Sequence, residues 1–176
     1  LYLLAQGLDG SRSRLVEEFK TREGSVLFGS ASFWEGVDIP GEELSCVVMV
    51  RLPFAPPTVP VTEARIENLQ RRGLSAFHHL SLPQAVIRFK QGFGRLIRSK
   101  RDRGVVVVFD SRISADRSNY GIKFLRSLPS PACVVGPRSR IIDEIARWLA
   151  EPQRDDLPGA DRGTIPIEPT SAEEPK

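Results

Sequence analysis

Residues 81 to 110 read SLPQAVIRFKQGFGRLIRSKRDRGVVVVFD, and two different periods meet in that stretch. Ser81 followed by Gln84 has the form of a capping box, with Pro83 tolerated in the first turn, so a helix is predicted over Leu82–Ser99. At about 100° per residue, Val86, Phe89, Phe93, Leu96 and Ile97 fall on one side of it. Gln84, Arg88, Gln91, Arg95 and Arg98 form a stripe on the other side, spaced four, three, four and three. The run Val105 to Phe109 that follows is apolar without alternation, which fits a strand covered on both faces.

The same alternation of short β-branched runs and longer helical patterns extends in both directions. Leu1–Ala5, Ser25–Gly29, Leu44–Arg51, Val105–Asp110 and Ala132–Val135 are predicted strands. Ser11–Arg22, Val61–Arg72, Tyr120–Leu128 and Ser139–Ala150 join Leu82–Ser99 as predicted helices. The expected class is α/β, with a mostly parallel sheet and helices on both faces. In such sheets ligands sit beyond the carboxyl ends of the strands, so the residues that follow each strand become the candidates.

Composition bounds what those candidates can do. The chain has 176 residues, 40% hydrophobic and 27% charged, which is ordinary for a globular domain and excludes fibrous and wholly disordered classes. Its longest apolar runs, at Val105–Phe109 and Cys46–Val50, fall far short of the roughly 20 residues of a membrane span. The sequence opens on Leu1 with no basic stretch leading into an apolar one, so no signal peptide is expected and the chain is taken as part of a longer protein. From Glu151 to Lys176 periodicity is lost, five prolines appear, and seven acidic residues face three basic ones; an acidic, Pro-rich disordered tail is expected there. The remaining 22 basic and 15 acidic residues leave residues 1–150 at +7, a balance that suits a polyanionic partner. Cys46 and Cys133 lie in apolar runs without a partner at zinc-ligand spacing, as expected of thiols in a reducing, cytoplasmic setting; no metal site is expected.

Beyond the second predicted strand comes SASFWEGVDIPGEEL, from Ser30 to Leu44. Small hydroxyls and glycines there suit a backbone approached by a phosphate or sugar, with Asp38 able to accept from a ribose hydroxyl or to orient an arginine. The alternative is a loop whose Gly36 and Gly41 serve turns while Trp34 packs inward. For the Gln84–Arg98 stripe the choice is between a solvated helix face and a phosphate-facing one. Within the predicted helix the arginines have no acidic partner four residues away, and Gly92 and Gly94 each cost the helix about 1 kcal/mol, which favours close approach by a ligand or another backbone. Arg51 and Phe54, in the stiff loop RLPFAPP, could hold a phosphate and stack a base, or Phe54 could tuck beneath the loop. His78 and His79 have no nucleophile or carboxylate pattern about them, and Trp148 continues the apolar face of Ile141, Ile145 and Leu149 toward a core.

The succession SASFWEGVDIPGE, RLPFAPP, SLPQAVIRFKQGFGRLIR and RGVVVVFDSR resembles the second motor domain of DinG-like helicases, which belong to superfamily 2 and are similar to the XPD branch. The resemblance covers essentially residues 1–150. It implies a RecA-like domain, one half of a two-domain ATP motor moving on single-stranded DNA. Ser30 to Asp38 resemble motif V, which implies that Ser30 and Ser32 touch the nucleic-acid backbone while Gly36 and Asp38 lie near the nucleotide. Gln91, Gly94, Arg95 and Arg98 resemble motif VI, which implies that both arginines reach toward the γ-phosphate, with Arg98 as the arginine finger.

A whole helicase of this kind also needs a Gly-rich phosphate loop ending in Lys-Ser/Thr and an Asp-Glu metal-binding motif following a strand, neither of which occurs in the chain. The resemblance therefore assigns ATP and Mg²⁺ mainly to the first, N-terminal motor domain of the parent protein, along with any iron–sulfur cluster, since the four-cysteine set is absent as well. Two other readings stay open: a non-catalytic nucleic-acid-binding module that kept the fold, and a helper domain of a DinG-type exonuclease. Intact Asp38, Arg95 and Arg98 favour the motor, because a pure binding module has no need to sense a γ-phosphate.

Overall fold

The structure is a computed structural model and describes residues 1–30, 33, 44–97, 103–129 and 133–150. Tyr2–Ala5 form strand β1. Helix α1, Arg12–Thr21, starts at Ser11, whose backbone is extended and whose hydroxyl accepts the Arg14 N–H at 3.4 Å, satisfying one of the donors a helix leaves unpaired at its start. Strand β2, Ser25–Phe28, then returns parallel to β1 with Tyr2 opposite Ser25 and Ala5 opposite Phe28. This strand–helix–strand unit encloses Leu4, Leu15 and Phe33, with Val16, Phe19, Leu27 and Leu44 packed against them. Each leucine taken fully out of water there contributes about 1.5–3 kcal/mol.

On the surface of the unit Glu18 accepts from Arg14 Nε at 2.7 Å and from the Tyr2 hydroxyl at 3.1 Å. Those two hydrogen bonds, the arginine's first, hold the Glu18 carboxyl below the usual carboxylate range. The groups are open to water, so the pair adds little to stability.

A second parallel pair joins β3, Cys46–Met49, to β4, Val105–Val108, with Cys46 opposite Val105. The crossover between them holds α2, Pro60–Arg71, a π-helical turn over Phe77–Ser81, and α3, Leu82–Leu96. Pro60 occupies the first turn of α2, where its missing N–H costs nothing. The expected capping box at Ser81 does not form. Ser81 is itself helical (φ −66°, ψ −47°) and caps nothing with its side chain, because the π turn already supplies an acceptor: the Leu82 N–H donates to the Phe77 carbonyl.

Helix α3 buries Leu82, Ala85, Phe89, Gly92 and Leu96, in steps of three and four, and packs against β3. Val86, Phe93 and Ile97 are only half-buried, so the inward face is turned relative to the expected one. Small Ala85 and Gly92 let the helix lie close to its neighbours, a preference that counting large apolar residues does not capture.

Both strand pairs are parallel, as expected, but among the described residues they form two separate two-stranded sheets, and coverage on both faces is not found. In the first pair Leu4 is buried while Leu3 and Phe28, pointing the other way, are 56% and 58% exposed; in the second Met49 is buried and Val48 is 52% exposed. β1 and β3 thus have a covered and an open face, whereas the four valines of β4 are all half-buried.

The chain divides into two compact units, Leu1–Asp110 and Ser111–Lys176. In the second unit Ser118 ties a 3₁₀ turn, Ser111–Ile113, to α4, Gly121–Arg126: its hydroxyl donates to the Arg112 carbonyl at 2.6 Å and accepts the Gly121 N–H at 2.9 Å. Phe124 of α4 is fully buried. The expected fifth strand is not found: Cys133, Val134 and Val135 are irregular, and Ala132 lies outside the described residues. A strand needs a hydrogen-bonded neighbour, and β1–β2 and β3–β4 are the pairings among the described residues. Helix α5, Arg138–Ala150, has no buried residue, and Trp148, expected in a core, is half-buried. Residues 151–176, where the tail is expected, lie outside the described residues.

Candidate nucleic-acid interface

Because β1 and β2 are parallel, their carboxyl ends lie side by side. The Gln6 N–H extends their ladder by donating to the Phe28 carbonyl at 2.9 Å. The Gln6 side chain then reaches to the neighbouring strand end, where its Oε1 accepts two donors of one residue: the Ser30 N–H at 2.8 Å and the Ser30 hydroxyl at 2.9 Å. The Ser30 carbonyl in turn accepts the Phe33 N–H at 2.9 Å, and Phe33 is buried in the core behind α1. A Cβ at Gly29 would stand 2.8 Å from the Phe33 Cβ, so this turn admits no side chain at that position. Ser30 is exposed, yet it is anchored on both sides. Ser32, Gly36 and Asp38, the other candidates of this loop, lie outside the described residues.

At the carboxyl ends of β3 and β4 the anchor is Asp110. Its carboxylate, buried, accepts the Leu52 N–H at 2.9 Å and holds the start of the RLPFAPP loop. Arg51, directly before that contact, is exposed. Phe54 is half-buried, with its ring 5.9 Å from that of Phe77 and an interplanar angle of 21°; Phe77 meets His78 edge-on at 5.2 Å. The alternative in which Phe54 packs within the chain thus has a partner ring.

On α3, Gln91 and Gly94 are exposed and Arg95 is half-buried, on the flank turned from Phe89 and Leu96. A Cβ built at Gly94 meets nothing within 4 Å. Packing against described residues therefore gives no reason for glycine there, although Gly92, two residues earlier, is buried in the helix's inward face. Arg98 lies outside the described residues.

Among the described residues, no group of three or more His, Cys, Asp or Glu side chains is placed to hold a metal ion, and no helix is long and apolar enough to cross a membrane. Both cysteines are free, and burial pushes each thiol above its ordinary value. An open groove between α2 and the π turn, lined by Val61, Ala64, Leu69 and His79 among others, contains none of the candidate residues.

Sequence reasoning missed two residues of this arrangement, Gln6 and Asp110. Gln6 follows β1 directly and Asp110 lies two positions past β4, places the rule about carboxyl ends already singles out, and each is polar at the end of an apolar run.

Residues 2–131 match the model of the helicase C-terminal domain. The chain is 45% identical over 131 residues to the 3'-5' exonuclease DinG of Bacillus subtilis, covering 74% of this chain and 14% of that protein. It is 44% identical over 152 residues to the ATP-dependent DNA helicase YoaA of Escherichia coli, and 42% over 149 residues to that of Haemophilus influenzae, covering 86% and 85% of this chain. It spans 23% and 22% of those two proteins, so what it matches is one part of each. With the match running through both strand ends and all of α3, the chain belongs to the helicase C-terminal domain family and is DinG-like within it.

Proposed function

We propose that this chain is the second, RecA-like motor domain of a cytoplasmic ATP-dependent DNA helicase, coupling ATP hydrolysis to movement on single-stranded DNA. In this reading the N-terminal motor domain of the same protein is its partner and holds most of the nucleotide. The observation that carries the reading is the outer flank of α3, where Gln91, Gly94 and Arg95 stand away from the helix's own core and Gly94 faces open space. A helix keeps a glycine at a cost of about 1 kcal/mol for a reason, and approach by a phosphate from another domain supplies one.

The residue types on that flank fit a triphosphate. Arg95, with Arg98 beyond it, would meet γ-phosphate oxygens through guanidinium donors, and ATP would supply the transferable phosphoryl group. Gly36 and Asp38 complete the nucleotide side of the proposal. The residues do not fit Mg²⁺, since no carboxylate cluster accompanies the arginines among the described residues, and in this reading the metal belongs to the first motor domain. Two cysteines do not make an iron–sulfur site.

Single-stranded DNA would lie across the strand ends, with Ser30 and Ser32 on its backbone and Arg51 and Phe54 beside it. The 176-residue chain is expected to bind an oligothymidylate weakly, with affinity falling steeply as salt rises, because few phosphates are contacted and counterion release dominates. Ser30→Ala with Ser32→Ala should weaken it further. Tight binding indifferent to salt would favour the non-catalytic module instead. The name of the Bacillus subtilis relative supports a second setting, in which the domain assists a nuclease in handling the strand.

A further inference from the structure

The two donors of Ser30 converge on one oxygen. A backbone N–H and a hydroxyl from the same residue, both aimed at a single acceptor at 2.8 and 2.9 Å, form the geometry that receives a phosphate oxygen; here the acceptor is the side-chain carbonyl of Gln6. The Gln6 backbone is fixed by its own bond to Phe28, and Ser30 is fixed through Phe33, so the contact is set by two anchored residues. Both side chains are exposed, which leaves the contact open to competition.

We propose that Gln6 Oε1 is a built-in stand-in for a phosphodiester oxygen: it occupies the donor pair of Ser30 in the free protein and swings away when single-stranded DNA arrives. The inference rests on the reading of Ser30 as a nucleic-acid contact. Ser30 cannot offer both donors to a phosphate while both are directed at Gln6, so binding includes the loss of that internal contact. The carboxamide is neutral and the phosphate is charged, and hydrogen bonds to a charged acceptor are the stronger, so the exchange runs toward the nucleic acid. Gln6 then acts as a positioning residue that keeps the donor pair aligned yet lowers affinity, which suits a motor that must release each phosphate.

The test is oligothymidylate binding by the 176-residue chain at low salt, using Gln6→Ala, Gln6→Met, Gln6→Glu and Ser30→Ala. Gln6→Ala and Gln6→Met, which remove the competing oxygen, should tighten binding by about three- to tenfold, as expected for freeing two exposed hydrogen bonds. Methionine keeps the length of the side chain, so it guards against an effect of lost packing. Gln6→Glu, which keeps an acceptor and adds charge, should weaken binding. The gain from Gln6→Ala should shrink in the Ser30→Ala background, where only the backbone N–H is left to be freed.

Weaker binding by both Gln6→Ala and Gln6→Met overturns the proposal, as does a gain of undiminished size without the Ser30 hydroxyl. A gain seen for inorganic phosphate and not for the oligonucleotide also overturns it, since the donor pair would then hold a free anion. Ser30→Ala without effect on binding sinks the underlying reading of Ser30, whereas Ser30→Ala that weakens binding while Gln6→Ala fails to tighten it sinks only the role given to Gln6.

Discussion

Asp110 and Leu52 lie 58 positions apart in sequence, and the carboxylate of one accepts the backbone N–H of the other at 2.9 Å. The bond joins the end of β4 to the loop that follows β3, and Asp110 is the buried charged side chain among the described residues. Asp110→Ala leaves a buried N–H without this acceptor and should lower unfolding free energy by about 2–3 kcal/mol, whereas Asp110→Asn, which keeps an acceptor oxygen, should cost about 1 kcal/mol. Urea unfolding of the two variants checks the difference, and equal losses would show that charge rather than the hydrogen bond matters.

Two glycines should respond in opposite directions. Gly29→Ala drives a Cβ against Phe33 in the first core and should destabilise by about 1–3 kcal/mol. Gly94→Ala meets open space on an exposed helix position and should stabilise by up to about 1 kcal/mol. In a protein that joins this domain to its first motor domain, the same Gly94→Ala should lower ATP turnover, because the added methyl stands where a phosphate would approach. A stabilised variant with full activity would return that flank of α3 to an ordinary solvated face.

Cys46 and Cys133 supply the pH dependence. Burial raises both thiols, so in the folded chain they keep their protons at pH values where the unfolded chain has begun to lose them. Below the unfolded thiol value, about 8.5, the two states bind protons alike and stability is unaffected; above it the unfolded state ionises first, and stability falls as pH rises toward the folded values. Unfolding free energy should therefore decline as pH rises above about 8.5, and replacing both cysteines by Ala should flatten that part of the profile. Alkylation of either thiol in the folded chain at pH 8 should also be slower than after unfolding.

The 176-residue chain alone should not hydrolyse ATP, since it carries neither a phosphate loop nor an Asp-Glu metal motif following a strand. Turnover that co-purifies with the chain and persists through ion exchange and gel filtration would contradict this.

Most of the architecture was legible because it depends on local pattern. Helix α2 was expected at Val61–Arg72 and is found at Pro60–Arg71, and α5 was expected at Ser139–Ala150 and is found at Arg138–Ala150. Four of the five expected strands are found at their short apolar runs, from Tyr2–Ala5, which has no β-branched residue, to Val105–Val108, which is all valine. The misreadings depend on what lies far away in sequence. Cys133 to Val135 have strand composition but no partner among the described residues, and Ser81 has cap chemistry but follows a turn that already supplies the acceptor. At the candidate site, Ser30, Arg51, Gln91, Gly94 and Arg95 were singled out as candidates by spacing and resemblance. Gln6 and Asp110 were not, because their roles are contacts across 24 and 58 positions that no local window contains.

The most direct test of the motor assignment is single-stranded-DNA-stimulated ATP hydrolysis by a protein carrying both motor domains, compared for Arg98→Ala, Arg95→Ala and Arg88→Ala. Arg88 is on the same stripe of α3 but seven residues before Arg95 and outside the matched motif, so it reports what loss of an arginine from that stripe does by itself. Arg98→Ala should reduce turnover by about 10³-fold while changing nucleotide affinity less than about tenfold, because an arginine finger acts mainly on transition-state charge. Arg95→Ala should fall with it and also weaken ATP binding, and Arg88→Ala should stay near the parent rate. Near-normal turnover by a folded Arg98→Ala protein, or equal small losses at Arg98 and Arg88, would contradict the assignment.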